Sequence, residues 1–187
     1  MKSMQLDIEE IISGCIRNEY KSQKMLYRKY YNVLMGICCR YCKSKAEAED
    51  VLLIGFYRIY KNIKKYNGKG SFENWIKRIV VNVAIDNYRK NNKYYYHDDI
   101  DNFIDNEMLS EPMYDNFTAN DILEKVSELP DGSRVVFNLF TIEGYSHKEI
   151  AEILHISEST SKTQLQRAKS SLQKKLHELY HTIAKEK

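Results

Sequence analysis

The sequence predicts an all-α protein: an N-terminal helical bundle and a C-terminal helix-turn-helix domain, joined by a flexible acidic linker. Three observations carry that expectation. Apolar residues recur at three- to four-residue spacing through both halves of the chain. Seven glycines and two prolines in 187 residues leave little material for the turns of a β-rich fold. Between the periodic halves, residues 94–120 hold seven carboxylates and neither Lys nor Arg.

In the first half, Ile8, Ile11, Ile12 and Cys15 stripe a short leading helix. Leu26, Tyr30, Leu34, Ile37 and Tyr41 stripe a second. Ala48, Val51, Leu52, Phe56, Ile59 and Ile63 mark a third, and Phe72, Ile76, Ile79, Val80 and Val83 a fourth. Asn67, Gly68, Lys69, Gly70 and Ser71 break the last two apart, with Ser71 placed to cap the fourth helix. Four helices sharing one core make a bundle over residues 1–93.

Residues 94–120 show no sustained period, contain Pro112 and are rich in Asp and Asn. They read as an extended linker. Ile100, Phe103, Ile104, Met108, Leu109, Met113 and Phe117 are scattered through it, which suits a segment that docks once a partner is present.

The third domain segment, residues 121–187, resumes with Ile122, Val126 and Leu129, ending in a turn at Pro130-Asp131-Gly132. Val135, Val136, Leu139 and Phe140 stripe a helix stopped by Gly144. Ser146 and Glu149 form a capping box that opens the next helix, where Ile150 and Leu154 face inward. A tight turn at His155 and Ile156 leads into a longer helix burying Leu165, Ala168, Leu172, Leu176 and Leu179. Two helices so joined outline a helix-turn-helix, which lays its second helix in the DNA major groove.

On that second helix Ser159, Thr160, Lys162, Thr163, Gln166 and Arg167 lie outside the leucine stripe, near the end that enters the groove. Lys and Arg donate to guanine O6 and N7, and Gln pairs with adenine N6 and N7. A polar, solvated helix face would look the same taken alone; the capping box, glycine stop and tight turn favour DNA. In the first domain, Tyr66, Lys69, Phe72, Trp75, Lys77, Arg78, Tyr88, Arg89 and Lys90 mix rings with cations. Single-stranded nucleic acid suits such a surface, because bases stack on rings while cations follow phosphates. Phe72 and Trp75 also fit a core, whereas Lys77, Arg78, Asn82 and Arg89 do not.

The net charge of +3 conceals an acidic middle segment of seven carboxylates and +10 on the rest of the chain, a balance that suits a polyanion partner. No run nears the roughly 20 apolar residues of a spanning helix, and the first ten residues lack the apolar stretch of a secretory signal. A cytoplasmic protein without membrane insertion is expected. Cys39 and Cys42 form a C-x-x-C, but no second Cys or His pair stands at zinc-finger spacing. The four cysteines therefore read as reduced, partly core residues, with no metal and no cofactor. No nucleophile–base pairing or phosphate-cradling glycine loop suggests an enzyme.

Three stretches in order carry a resemblance. They are Ala48-Glu49-Asp50-Val51 with Phe56; Gly70-Ser71-Phe72-Glu73-Asn74-Trp75-Ile76-Lys77-Arg78-Ile79 followed by Asn82; and Gly144-Tyr145-Ser146-His147-Lys148-Glu149-Ile150-Ala151 running into Thr160-Ser161-Lys162-Thr163-Gln164-Leu165-Gln166-Arg167-Ala168. Across nearly its whole length the chain resembles the extracytoplasmic-function (ECF) sigma factors, promoter-specificity subunits of bacterial RNA polymerase. The wording Thr-Ser-Lys-Thr-Gln-Leu looks like the versions common in Bacteroides-type bacteria. The resemblance implies that Glu49, Asp50, Leu53 and Phe56 grip the clamp of core RNA polymerase, whose flap is a second contact. It implies that Tyr66, Gly68, Lys69, Ser71, Phe72, Asn74, Lys77, Arg78, Ile79, Asn82 and Arg89 serve the −10 element, a base flipped from the stack entering near the loop. It further implies −35 recognition by the helix-turn-helix, an acidic strap threaded through the polymerase channel, and an anti-sigma factor as partner. One departure is plain: after Ala-Glu-Asp-Val-x the family has polar residues where this chain has Leu53 and Ile54.

Two rivals remain open to the sequence alone. The helix-turn-helix also resembles the output domains of response regulators, so a regulator binding duplex DNA by itself is one; no phosphoacceptor domain precedes it here. The other is an enzyme built on the Cys38–Cys42 cluster.

Overall fold

The computed structural model describes residues 7–91 and 117–185. Eight α-helices account for nearly all of them, and no strand occurs among the described residues. The chain divides into two units, Met1–Tyr88 and Arg89–Lys187. The seven carboxylates of the expected linker lie outside the described residues.

Helices α1 (Ile8–Ile16), α2 (Tyr20–Tyr41), α3 (Lys45–Asn62) and α4 (Phe72–Asn91) build the first unit, with a 3₁₀ turn at Ile63–Lys65 after α3. Every apolar residue assigned to the α2 and α3 stripes is buried. Each such large side chain contributes about 1.5–3 kcal/mol on leaving water. Helix α4 buries more than its expected stripe, adding Val81, Ala84, Ile85 and Tyr88, while Ile79 is only half-buried. Ser44 caps α3 by accepting from the Glu47 amide at 3.2 Å, and Glu47 accepts from the Lys43 amide at 2.8 Å. Helices α3 and α4 approach closely where Gly55 faces Val80. The ion pair Arg58–Asp86 at 2.8 Å and the hydrogen bond from Asn87 to Glu47 at 2.6 Å join the same two helices.

The second unit comprises α5 (Ala119–Ser127), α6 (Asp131–Phe137), a π-helical turn (Asn138–Ile142), α7 (His147–Leu154) and α8 (Glu158–Lys185). Helix α8 is the platform on which α5, α6 and α7 pack. Two boundaries differ from the sequence expectation. The end of the supposed linker is helical, because Thr118 and Asp121 form a reciprocal capping box that starts α5. Pro130-Asp131-Gly132 is the opening of α6 and not a free turn: Pro130 is the N-cap, and Asp131 sits at the positive helix end, paired with Arg134 at 2.9 Å. Leu179, placed in the leucine stripe, is only half-buried.

Candidate nucleic-acid interface

The 66–71 loop of the first unit is fixed by backbone and side chain together. Gly68 and Gly70 adopt φ of 76° and 81°, a region costly for residues with a Cβ. The Tyr66 hydroxyl donates to the Gly70 carbonyl at 2.8 Å, and the Lys69 amide donates to Asn67 Oδ1 at 3.0 Å. Beneath the loop, Tyr66, Phe72 and Trp75 form an aromatic cluster with centroids 5.1–5.6 Å apart. The Ser71 carbonyl accepts from the Trp75 amide at 3.1 Å and so starts α4.

These constraints expose Gly68, Lys69, Ser71, Asn74, Arg78 and Asn82. Asn74, Arg78 and Asn82 follow at four-residue spacing and line one face of α4. Tyr66, Trp75, Lys77 and Ile79 are half-buried, and Lys77 pairs with Glu73 at 2.6 Å. Arg89 lies in the last turn of α4. Phe72, for which the sequence left a core position open, is 6% exposed and packs on Tyr66 and Trp75. Tyr88, also expected on the basic face, is likewise 6% exposed.

The exposed residues of α3 include Glu49, Asp50, Leu53, Ile54 and Tyr57, the last three 58%, 47% and 64% accessible. Phe56, expected to face a partner with them, is 3% exposed and packs on Tyr27 with centroids 4.6 Å apart. A one-residue step around a helix turns a side chain about 100°, and that step carries Phe56 inward.

In the second unit Ser146 and Glu149 complete the anticipated capping box of α7. The Ser146 amide, which donates to Glu149 at 2.8 Å, holds that carboxyl below its ordinary range. Its stabilisation is therefore present above the unfolded value near 4.3 and is lost as pH falls through the lower folded value. His155 takes a left-handed conformation, φ 56°, and makes the turn between α7 and α8. Ser157 Oγ accepts from the Thr160 amide at 3.0 Å, capping α8.

Ser159, Lys162, Thr163 and Gln166 are exposed along the first turns of α8, and Thr160 and Arg167 are half-buried at its edges. The Ser159 and Thr160 hydroxyls both lie within 2.8 Å of Ser157 Oγ. Lys169, which the sequence reading passed over, is exposed and continues this face one turn on; its seven-residue spacing from Lys162 was the available signal.

Also missed were the braces that hold the two helices at their angle. Ser161 is wholly buried, and its hydroxyl meets His147 Nδ1 at 2.9 Å across α7 and α8. His147 stacks on Phe140 at 4.5 Å. Ser133 donates to Gln164 at 2.6 Å, tying α6 to α8. His147→Ala strands the Ser161 hydroxyl inside and is expected to cost about 1–3 kcal/mol. Ser161→Ala removes the hydroxyl itself and costs less. Urea unfolding of the two variants checks that order.

Residues 26–94 match the Sigma-70 region 2 family, and residues 119–172 match the Sigma-70 region 4 family. The chain is 32% identical to the ECF RNA polymerase sigma factor SigW of Bacillus subtilis over 161 residues, covering 80% of this chain and 86% of that protein. The chain belongs to the ECF RNA polymerase sigma factors. It directs transcription initiation. A second relative of this sigma factor is the ECF RNA polymerase sigma-E factor of Haemophilus influenzae, 26% identical over 94% of this chain and 98% of that one. Among solved structures, the sigma factor RpoE of Bartonella quintana, crystallised with the anti-sigma factor NepR, covers 82% of this chain and 96% of its own, at 19% identity and a TM-score of 0.48.

This sigma factor has four cysteines. Cys15, Cys38 and Cys42 are buried, and Cys39 is exposed. Burial pushes the Cys15 thiol up to about 11 and the Cys38 thiol up to about 12. Burial thus disfavours the thiolate form of both. Among the described residues, no helix is long and apolar enough to cross a membrane.

Proposed function

We propose that this sigma factor divides one promoter between its units, α8 reading the −35 duplex and the 66–71 loop with α4 holding the opened −10 strand. The observation that carries this reading is the pair of exposed faces, Ser159/Lys162/Thr163/Gln166 and Lys69/Ser71/Asn74/Arg78/Asn82. Each is rich in donors and backed by a packed core, the arrangement that lets side chains reach base edges without unfolding anything. Extracting a base from its stack costs a few kcal/mol, and the polymerase and the loop meet that cost together. Run-off transcription with core polymerase on randomised promoter templates tests the reading, since it reports activity and recognised bases at once. Specific promoter binding that needs no core polymerase would instead favour a stand-alone regulator.

In this reading the first domain is residues 1–93 and the second begins at the Thr118 cap of α5, with the acidic segment between them lying in the polymerase's positively charged channel. Family membership supports an anti-sigma partner and a cytoplasmic location, and the Thr-Ser-Lys-Thr-Gln-Leu wording supports a Bacteroides-type subgroup. The polymerase clamp docks on the exposed face of α3, where Glu49 and Asp50 adjoin Leu53, Ile54 and Tyr57. The polar residues usual in the family at positions 53 and 54 make clamp binding compatible with a polar surface. Leu53→Gln with Ile54→Glu is accordingly expected to leave core binding intact or improved, and a pull-down in which the double variant loses the polymerase would overturn that.

A further inference from the structure

The last turns of α8 lie beyond residue 172, where the region 4 match ends. There His177 and His181 stand one helical turn apart, both exposed, with Nε2 atoms 3.1 Å from each other and rings edge-on at 4.3 Å between centroids. We propose that this pair is a bidentate site for a first-row divalent transition metal such as Zn²⁺, Ni²⁺ or Cu²⁺.

The argument is geometric. Imidazole nitrogens bind Zn²⁺ at about 2.0–2.1 Å, so two ligands on one ion stand about 3.3 Å apart at a tetrahedral angle and about 2.9 Å apart at a right angle. The observed separation falls between these values. Imidazole is a ligand type suited to zinc, copper and nickel, and four-residue spacing on a helix is what brings two rings onto one face. Both ligands project from a regular helix, so little of it needs to move on binding.

Glu178 stands between them, so the segment reads His-Glu-Leu-Tyr-His. That order also occurs in catalytic zinc sites, where the glutamate serves as general base. Here no third metal-ligating side chain joins the pair among the described residues, and both histidines face open solvent. The remaining coordination positions fall to water, and the site binds without hydrolysing anything. Bridging one turn, the metal clamps the end of α8 and raises the stability of the folded form by mass action.

Tag-free full-length protein, stripped with chelator, is titrated separately with ZnCl₂, NiCl₂ and CuCl₂ by calorimetry. The expected result is one equivalent bound, tightest for Cu²⁺ as the Irving–Williams order requires. Binding weakens at least about tenfold in His177→Gln or His181→Gln, a change that retains helix propensity. Cys39→Ser, which removes the exposed thiol, leaves binding unchanged. Circular dichroism follows the thermal midpoint, which rises with metal in the parent and not in the double histidine variant. Undiminished binding in that double variant, loss of binding in Cys39→Ser, or no saturable binding of any of the three metals overturns the proposal. The last outcome reduces the pair to an imidazole–imidazole hydrogen bond. Transcription plays no part in these readouts, so they stand or fall separately from promoter recognition.

Discussion

Lys162→Ala combined with Gln166→Ala is expected to erase −35 selectivity while core association stays unchanged. Both side chains are exposed on α8, outside the stripe of the buried Leu165 and Ala168, so their removal opens no cavity. Each bidentate base contact is worth roughly 1–3 kcal/mol of discrimination. Losing both lowers preference for the cognate −35 sequence over a scrambled one by about two to three orders of magnitude. Arg167 is the less informative partner for this experiment because it is half-buried, and its truncation mixes packing with recognition. Competitive binding of holoenzyme to matched and scrambled promoters gives the ratio, and a pull-down reports core binding. A ratio unchanged in the double variant would remove α8 from sequence reading.

The second large effect is expected from Gly68→Val with Gly70→Val. Both glycines have φ near 80°, and nothing lies within 4 Å of a Cβ added at either position. Steric room is therefore no obstacle, and the penalty is purely one of backbone conformation, about 1–3 kcal/mol at each position. The loop escapes that strain by taking another path, which carries Lys69 and Ser71 away from Asn74 and Arg78. Transcription from a fully duplex promoter is expected to fall about a hundredfold, equivalent to about 2.7 kcal/mol. The −35 preference should persist, since α8 is untouched. A template already opened at −10 separates the steps: if capture of the flipped base is what fails, pre-opening restores only part of the activity. Full activity on duplex template would show that the loop has no part in opening or capture.

The helical architecture was legible because its signal is periodic. Leu26, Tyr30, Leu34, Ile37 and Tyr41 repeat at helical spacing, and all five are buried as that spacing requires. The Ser146–Glu149 capping box was equally readable, being a local pattern whose two hydrogen bonds depend on nothing distant. Its counterpart at Thr118 and Asp121 obeys the same rule but was hidden inside a segment whose composition pointed to a linker. Phe56 and Phe72 show a different limit. A motif names the residues of a functional surface together with those that hold it up, and only packing separates the two. The His147–Ser161 and Ser133–Gln164 braces lay beyond reach for a related reason. Each joins side chains 14 or 31 positions apart, a distance at which sequence spacing carries no geometry.

The uneven burial of the four cysteines has a practical consequence. A bulky maleimide meets one accessible sulfur, at Cys39, in the native protein. A dye can therefore be placed on α2 without prior mutagenesis, and single labelling is the expected stoichiometry by mass spectrometry. The other three sulfurs become modifiable only when the first unit opens. Their rate of alkylation then serves as a built-in gauge of how often that unit breathes, with α8 silent throughout because it contains no cysteine.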